Sequence, residues 1–263
     1  MKNAERRGAL SKFKEHGFLF SELVKRDFKK KYKRTYLGMV WSVLSPLLTL
    51  LVMRVVFTQF FGKNVEYYTT YLFCGNIVFS FFNEATNSGM SSLMDNSAIF
   101  SKINVPKYLF LFSKNVSSLI NFGLTFVVFI VFCFIDGVPF TPHFFTLIFP
   151  ILCLIIFNVG IGLILSALFV FFRDIQYLWS VFTMLLMYVS AIFYTVDGYS
   201  PFIQKLFLLN PVFVYIKYFR LAVIDASLPS IQYHCLALGY ALLAFGIGAL
   251  IYKKKNHKFL YYI

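Results

Sequence analysis

Charge is what this sequence has least of. Asp, Glu, Lys and Arg make up 14% of its 263 residues, where an average soluble domain carries about 25%. A soluble protein of this size needs a polar coat over its core, and this composition does not supply one. Acids are the scarcer sign, eleven against 25 Lys and Arg. The four histidines, His16, His143, His234 and His257, never fall at the spacing of a metal site. The four cysteines, Cys74, Cys133, Cys153 and Cys235, lie in or beside apolar runs without a C-x-x-C pair. That pattern reads as buried thiols and argues against a disulfide framework or a zinc site. The chain also lacks G-x-x-x-x-G-K-[ST], so it has no phosphate loop and is not expected to hydrolyse ATP. No catalytic constellation, resident cofactor or internal repeat is expected. A cleavable signal peptide is not expected either, because 36 largely polar and basic residues precede the first apolar run.

What the sequence has is apolar length. Apolar residues make up 59% and the mean hydropathy is +0.72. Six apolar runs stand out, at about 37–60, 69–91, 108–135, 143–172, 175–196 and 231–252. Each has the ~20 residues that carry a helix across a ~30 Å hydrocarbon core. The reading is an all-α membrane protein with six spans. It divides into a basic segment over 1–36, a membrane domain over 37–252 and a basic tail over 253–263.

The basic charge is concentrated at the ends. Residues 1–36 hold twelve Lys and Arg against four acids, and residues 253–263 hold four Lys and no acid, so the two ends carry +12 of the net +14. Basic ends around an apolar middle point to both termini on the cytoplasmic side. With six crossings, that side holds 20 of the 25 Lys and Arg. Nucleic acid is not the expected partner, since no binding motif accompanies the charge; membrane lipid is. Phe20, Leu23, Val24, Phe28 and Tyr32 recur at three- and four-residue steps between the cations, which predicts an amphipathic helix in the interface with its apolar side in lipid. The alternative is an unstructured basic anchor.

Two further segments carry pattern. Asn76, Ser80, Asn83, Glu84, Asn87, Ser88 and Ser91 make a polar stripe on the second run. Such a stripe faces protein or water: it lines a pathway, with Glu84 as a coupling carboxylate, or it bonds helix to helix. Residues 197–230 are too apolar for a loop and too broken to span. Ser200 and Asn210 each precede a Pro, Pro201 and Pro211, as N-caps before a helix's first residue. This predicts two short helices broken at Asn210–Pro211, either a re-entrant pair on the external side between spans five and six or a surface amphipathic segment. Aromatics reach 21%. They suit a polysaccharide conduit, but also lipid and membrane interfaces.

Several segments together resemble the permease subunits of ABC exporters for bacterial surface polysaccharides, O-antigens and teichoic acids, within the type-2 ABC exporter class. "RDFKKKYKRTYLGMVWSVLSPLL" carries the opening signature in Arg26, Asp27, Tyr32, Leu37, Gly38, Trp41 and Pro46. "SKINVPKYLF" resembles the family's inner loop, "FRDI" its Arg-Asp turn, and "SAIFYTVDGYSP…LLNPVFVYIKYFR" its external segment. The matches keep order over about residues 20–225. Ala191 departs from the pattern, since Pro is expected there.

The resemblance implies a homodimer that binds two ATPase subunits, with ATP and Mg on those partners. It implies a cargo of polysaccharide or teichoic acid on undecaprenyl diphosphate, moved across the bacterial cytoplasmic membrane. Asn96, Ser97, Phe100, Lys102, Pro106 and Lys107 would couple to the ATPase. Lys30, Lys33, Arg34, Leu37 and Gly38 would form the cytoplasmic entrance where the lipid diphosphate arrives; for Lys30, Lys33 and Arg34 the alternative is plain lipid anchoring. Apart from the resemblance, the polar stripe itself makes Asn76, Asn83, Glu84 and Asn87 the candidates to line the pathway. Phe193, Tyr194, Asn210, Pro211 and Arg220 would form the external gate. Competing readings are an ABC permease for a drug, peptide or free lipid, an ion-coupled secondary transporter, and a membrane glycosyltransferase.

Overall fold

The structure, a computed structural model, describes residues 17–31, 33, 35, 37–61, 65–102, 105–256 and 258–262. It is all-helical, with no strand among the described residues. Helix α1 covers 17–31. It is followed by α2 (Trp41–Phe61), α3 (Tyr68–Asp95), α4 (Ser97–Phe100), α5 (Tyr108–Ile135), α6 (Ile148–Phe171), α7 (Ile175–Val189), α8 (Pro201–Phe207), α9 (Pro211–Val223) and α10 (Ile231–Lys255).

Among the described residues, four stretches are long and apolar enough to cross a membrane: Trp41–Thr58, Tyr108–Ile135, Pro142–Phe171 and Ile231–Lys255. Helices α8 and α9 would make a fifth if taken as one, but they meet at 107°. The other two expected runs fall short for different reasons. Helix α3 has the length, 28 residues, but its stripe of amide, hydroxyl and carboxyl groups lowers its hydropathy. Helix α7 has the apolarity but only 15 residues. Its run continues to residue 196, yet the chain leaves helical geometry at Ser190.

Helix α3 is the centre of the bundle. It packs against α2, α5, α6, α7 and α9, and 20 of its 28 residues are buried. That explains how the most polar of the long helices survives: protein, not lipid, surrounds it. The main core joins α3 to α5, α6, α9 and α10 through Phe73, Phe129, Phe157, Tyr215, Phe219 and Ala241. Helices α6 and α10 approach closely, because a Cβ on Gly160 would lie 2.4 Å from the Phe245 nitrogen and one on Gly248 2.6 Å from the Gly160 oxygen. Small residues permit such backbone contact between helices in lipid.

The two ends of the bundle differ. One gathers a second core of Leu23, Leu93, Phe110, Leu111, Tyr252 and Phe259, and around it lie the lysines of α1, Lys102, Lys114 and Lys253–Lys255. The other end holds the bent pair α8–α9 and the turn after α5. There Asp136 accepts from the Thr70 amide at 2.9 Å and hydroxyl at 2.8 Å.

Helix α1 corrects one expectation. Its apolar side does not face lipid alone: Leu23 is buried in the second core, while Phe18 is exposed and Phe20, Val24 and Phe28 are half-buried. The Arg-Asp pair explains the docking. The Asp27 carboxylate, its side chain 3% exposed, accepts from Arg26 at 2.7 Å and from the Ser113 hydroxyl at 3.2 Å, and lies 3.9 Å from Lys114. Arg26 also donates to the Asn96 side chain at 2.7 Å. A buried carboxylate needs these partners, because a buried charge left unpaired is costly. Arg26 and Asp27 therefore join α1 to the end of α3 and the start of α5.

Candidate functional site

A polar groove opens at the basic end between α2, α3 and α5. Its larger part is about 520 Å³ and its smaller part, toward α1, about 360 Å³. The larger part is walled by hydroxyl and amide groups at helical spacing: Ser42, Ser45 and Thr49 on α2, Asn76 and Ser80 on α3, Ser118, Asn121 and Thr125 on α5. Trp41, Phe81 and Phe122 add aromatic surface. Pro46 also lines it and has no N–H to donate within α2. The smaller part is cationic, with Lys30, Lys31 and Lys114 beside Asp27, Ser88 and Ser117.

Both parts are lined by Lys31, Glu84 and Ser118. The Glu84 Oε1 accepts from Lys31 at 3.0 Å and from Asn121 at 2.7 Å. The ion pair lies where the two parts meet. Its side chains are 42% and 36% exposed, so it adds little stability, about 0.2–1 kcal/mol. Lys114 is held elsewhere, 3.1 Å from Asp95.

The expected pathway residues separate. Asn76 and Glu84 line the groove with Ser80. Asn83 and Asn87 do not; Asn87 donates to the Asn83 backbone and side-chain oxygens, both at 2.7 Å. They sit one helical step round from the row at 76, 80, 84 and 88, and the stripe is wider than the wall it supplies. Of the entrance residues, Lys30 lines the smaller part, Lys33 and Leu37 are exposed, and Gly38 takes φ +50 with open space around it. Arg34 lies outside the described residues. Sequence reasoning missed Lys31, Asn121 and the walls of α2 and α5. The signal was there, since Ser42–Ser45–Thr49 and Ser118–Asn121–Thr125 are polar stripes like that of α3.

The inner-loop residues split by exposure. Lys102 is exposed, Ser97 and Pro106 are half-buried, and α4 ends at Phe100. Asn96 and Lys107 turn inward and are not free surface for a partner. Asn96 is 1% exposed, accepts from Arg26 and donates to the Ser92 carbonyl at 2.7 Å. Lys107 donates to the Asn256 carbonyl and lies 5.6 Å from the Phe259 ring centre. Burial lowers its ammonium pKa from the ordinary lysine value.

The external-gate residues come together at the far end, around the irregular segment that follows α7. Arg220, 4% exposed, donates to the carbonyls of Ala191 and Ile192, both at 2.9 Å, and its guanidinium lies 3.5 Å from the Tyr71 ring centre. The carbonyls of Phe193 and Tyr194 accept from Tyr68 at 2.8 Å and Tyr71 at 2.7 Å. The Phe193 ring stacks on Phe57 at 4.3 Å. Asn210 caps α9 as expected, accepting from the amides of Val212 at 3.0 Å and Phe213 at 3.4 Å, and donates to Ser190 at 2.9 Å. Pro211 opens the helix. Ser200 precedes Pro201 but makes no side-chain cap.

No group of three or more His, Cys, Asp or Glu residues among the described residues could hold a metal ion. Comparison with known proteins matches the family model described as ABC-2 type transporter over residues 19–224. Among curated proteins, the chain is 26% identical over 249 residues to the O-antigen export system permease protein RfbA of Klebsiella pneumoniae, covering 92% of this chain and 95% of that one. It is 29% identical to the protein of the same name from Myxococcus xanthus, covering 69% and 70%. It is 22% identical to the capsule polysaccharide export inner-membrane protein CtrC of Neisseria meningitidis, covering 86% and 87%. Opening signature, inner loop and far-end segment all lie inside the matched span, and the chain belongs to the ABC-2 type transporter family.

Proposed function

We propose that this chain is the permease subunit of an ATP-driven exporter that moves a polysaccharide or teichoic acid, carried on undecaprenyl diphosphate, across the bacterial cytoplasmic membrane. The observation that carries this reading is the near full-length similarity to an O-antigen export permease. The groove supports it: hydroxyl, amide and aromatic groups suit sugars, and the lysines beside them suit phosphate. In this reading the chain crosses the membrane six times, with α3 and α7 completing the count. The basic end faces the cytoplasm, as the lysine distribution favours, and α8–α9 form an external re-entrant pair. Two copies pair around the path, and two separate ATPase subunits bind at α4 and the inner loop and supply ATP hydrolysis with Mg.

The test is purification of the full chain from its native membrane in mild detergent, with quantitative mass spectrometry of what accompanies it. A P-loop ATPase at near one-to-one ratio is expected, and deletion of the chain should leave the glycan inside the cell. Isolation without an ATPase, under conditions that keep a control exporter intact, would overturn the reading. An intact surface glycan with loss of drug or peptide efflux would move the cargo to another class.

A further inference from the structure

The Lys31–Glu84 pair is placed oddly for a structural contact. It is half-exposed, lies where the two parts of a polar groove meet, and joins the last turn of α1 to the middle of α3. On the cationic side, Lys114 is held by Asp95. On the sugar-compatible side, Glu84 is the one acid lining the wall among the described residues. A carboxylate there repels an anionic ligand, and it occupies Lys31, which with Lys30 is a lysine such a ligand would use.

We propose that Glu84 is an internal stand-in for a phosphate: it bars the groove by holding Lys31, and a phosphate-bearing, sugar-linked carrier lipid must take Lys31 from it to enter. The inference rests on the export reading and assigns Glu84 as a specificity residue. Entry exchanges one ion pair for another. Lys31 moves from carboxylate to phosphate, which offers more acceptor oxygens, while Glu84 keeps its bond from Asn121. A neutral glycolipid offers Lys31 only uncharged hydroxyl acceptors, which do not displace a carboxylate, and leaves the bar closed.

Glu84→Gln tests this with little change of shape. The amide oxygen still accepts from Asn121, and the charge that pairs with Lys31 is lost. If Glu84 merely pins α1, Glu84→Gln and Lys31→Gln change binding in the same direction. If Glu84 competes with the ligand, they act in opposite directions. The full chain with its co-purified ATPase would be placed in phosphatidylcholine nanodiscs and titrated with farnesyl diphosphate, a short isoprenoid diphosphate. Glu84→Gln should bind it about 2- to 5-fold more tightly, the size of one partly exposed ion pair. Lys31→Gln should bind it about tenfold or more weakly.

Weaker or unchanged binding by Glu84→Gln overturns the proposal, and that sign decides even where Lys31→Gln does not fold. Repeating the titration with phosphatidylglycerol in the discs separates carrier lipid from bulk anionic lipid. Affinity little changed supports the carrier, and abolished binding assigns the groove to ordinary head groups and overturns the carrier. An ATPase that co-purifies while Glu84→Gln fails to tighten binding leaves the export reading standing. An absent ATPase removes the export reading whatever the variants do.

Discussion

Arg220 orders more backbone than any other single side chain at the far end of the bundle. Its guanidinium serves three carbonyls, those of Ala191 and Ile192 and, at 3.4 Å, that of Tyr71, and covers the Tyr71 ring. Hydrogen bonds from a charged donor are worth about 1.5–3 kcal/mol each, and the ring contact adds to them. Arg220→Met should therefore lower stability by roughly 3 kcal/mol or more, read as an earlier thermal unfolding transition in detergent. Arg220→Lys should recover only part of the loss, because an ammonium lacks the planar fork. Sequence reading placed Arg220 at this end through family resemblance, but its closest partners lie 28 and 29 residues earlier, beyond any local pattern. The fifth apolar run leaves helical geometry where its carbonyls find tertiary donors instead: those of Ala191 and Ile192 bond to Arg220, and those of Phe193 and Tyr194 to Tyr68 and Tyr71. The departure at Ala191 also gains a physical meaning. Ala191 sits at φ +52, which a proline, fixed near −65°, cannot adopt.

At the level of helices, the closest packing is between α6 and α10, and it rests on absent side chains. A Cβ on Gly160 would meet the backbone of Ala244 and Phe245, its nearest neighbour at 2.4 Å, so the helices themselves must part. Gly160→Val should destabilise the bundle by roughly 1–3 kcal/mol, the usual cost of overpacking. Gly246, on the same pair of helices, has nothing within 4 Å of its would-be Cβ, and Gly246→Ala should be neutral or stabilising by up to about 1 kcal/mol through helix propensity. Comparing the two unfolding temperatures separates packing from propensity. Hydropathy located both helices and said nothing of this contact. The legible signal was spacing: Ala237, Ala241, Ala244 and Gly248 recur at three- and four-residue steps, the small-residue seam of membrane helices. Helix α3 shows the converse. Its polar stripe was plain in the sequence, but which part of it faces the groove depended on α2 and α5, whose own stripes complete the wall.

Over the whole molecule, the basic end is a single assembly of segments far apart in the chain. Helix α1 joins it through Asp27 and Leu23, the inner loop through Asn96 and Lys107, and the C-terminal turn through Phe259. Charge distribution alone grouped these segments on one side, but it gave no reason for Lys102 and Lys107 to differ. The structure supplies one: Lys102 is exposed, whereas Lys107 is spent on the tail. Their charge reversals should then fail in different ways. Lys102→Glu should weaken ATPase association while leaving the tail docked. Lys107→Glu puts a carboxylate against the Asn256 carbonyl and should release the tail first, with any loss of coupling secondary to that. Phe259→Cys reports the difference in a Cys235→Ser background, because Cys74, Cys133 and Cys153 are buried. A membrane-impermeant maleimide should label position 259 slowly in that background and beside Lys102→Glu, and rapidly beside Lys107→Glu. Equal labelling in both would mean that Lys107 does not hold the tail, and that the two lysines act on the partner alone.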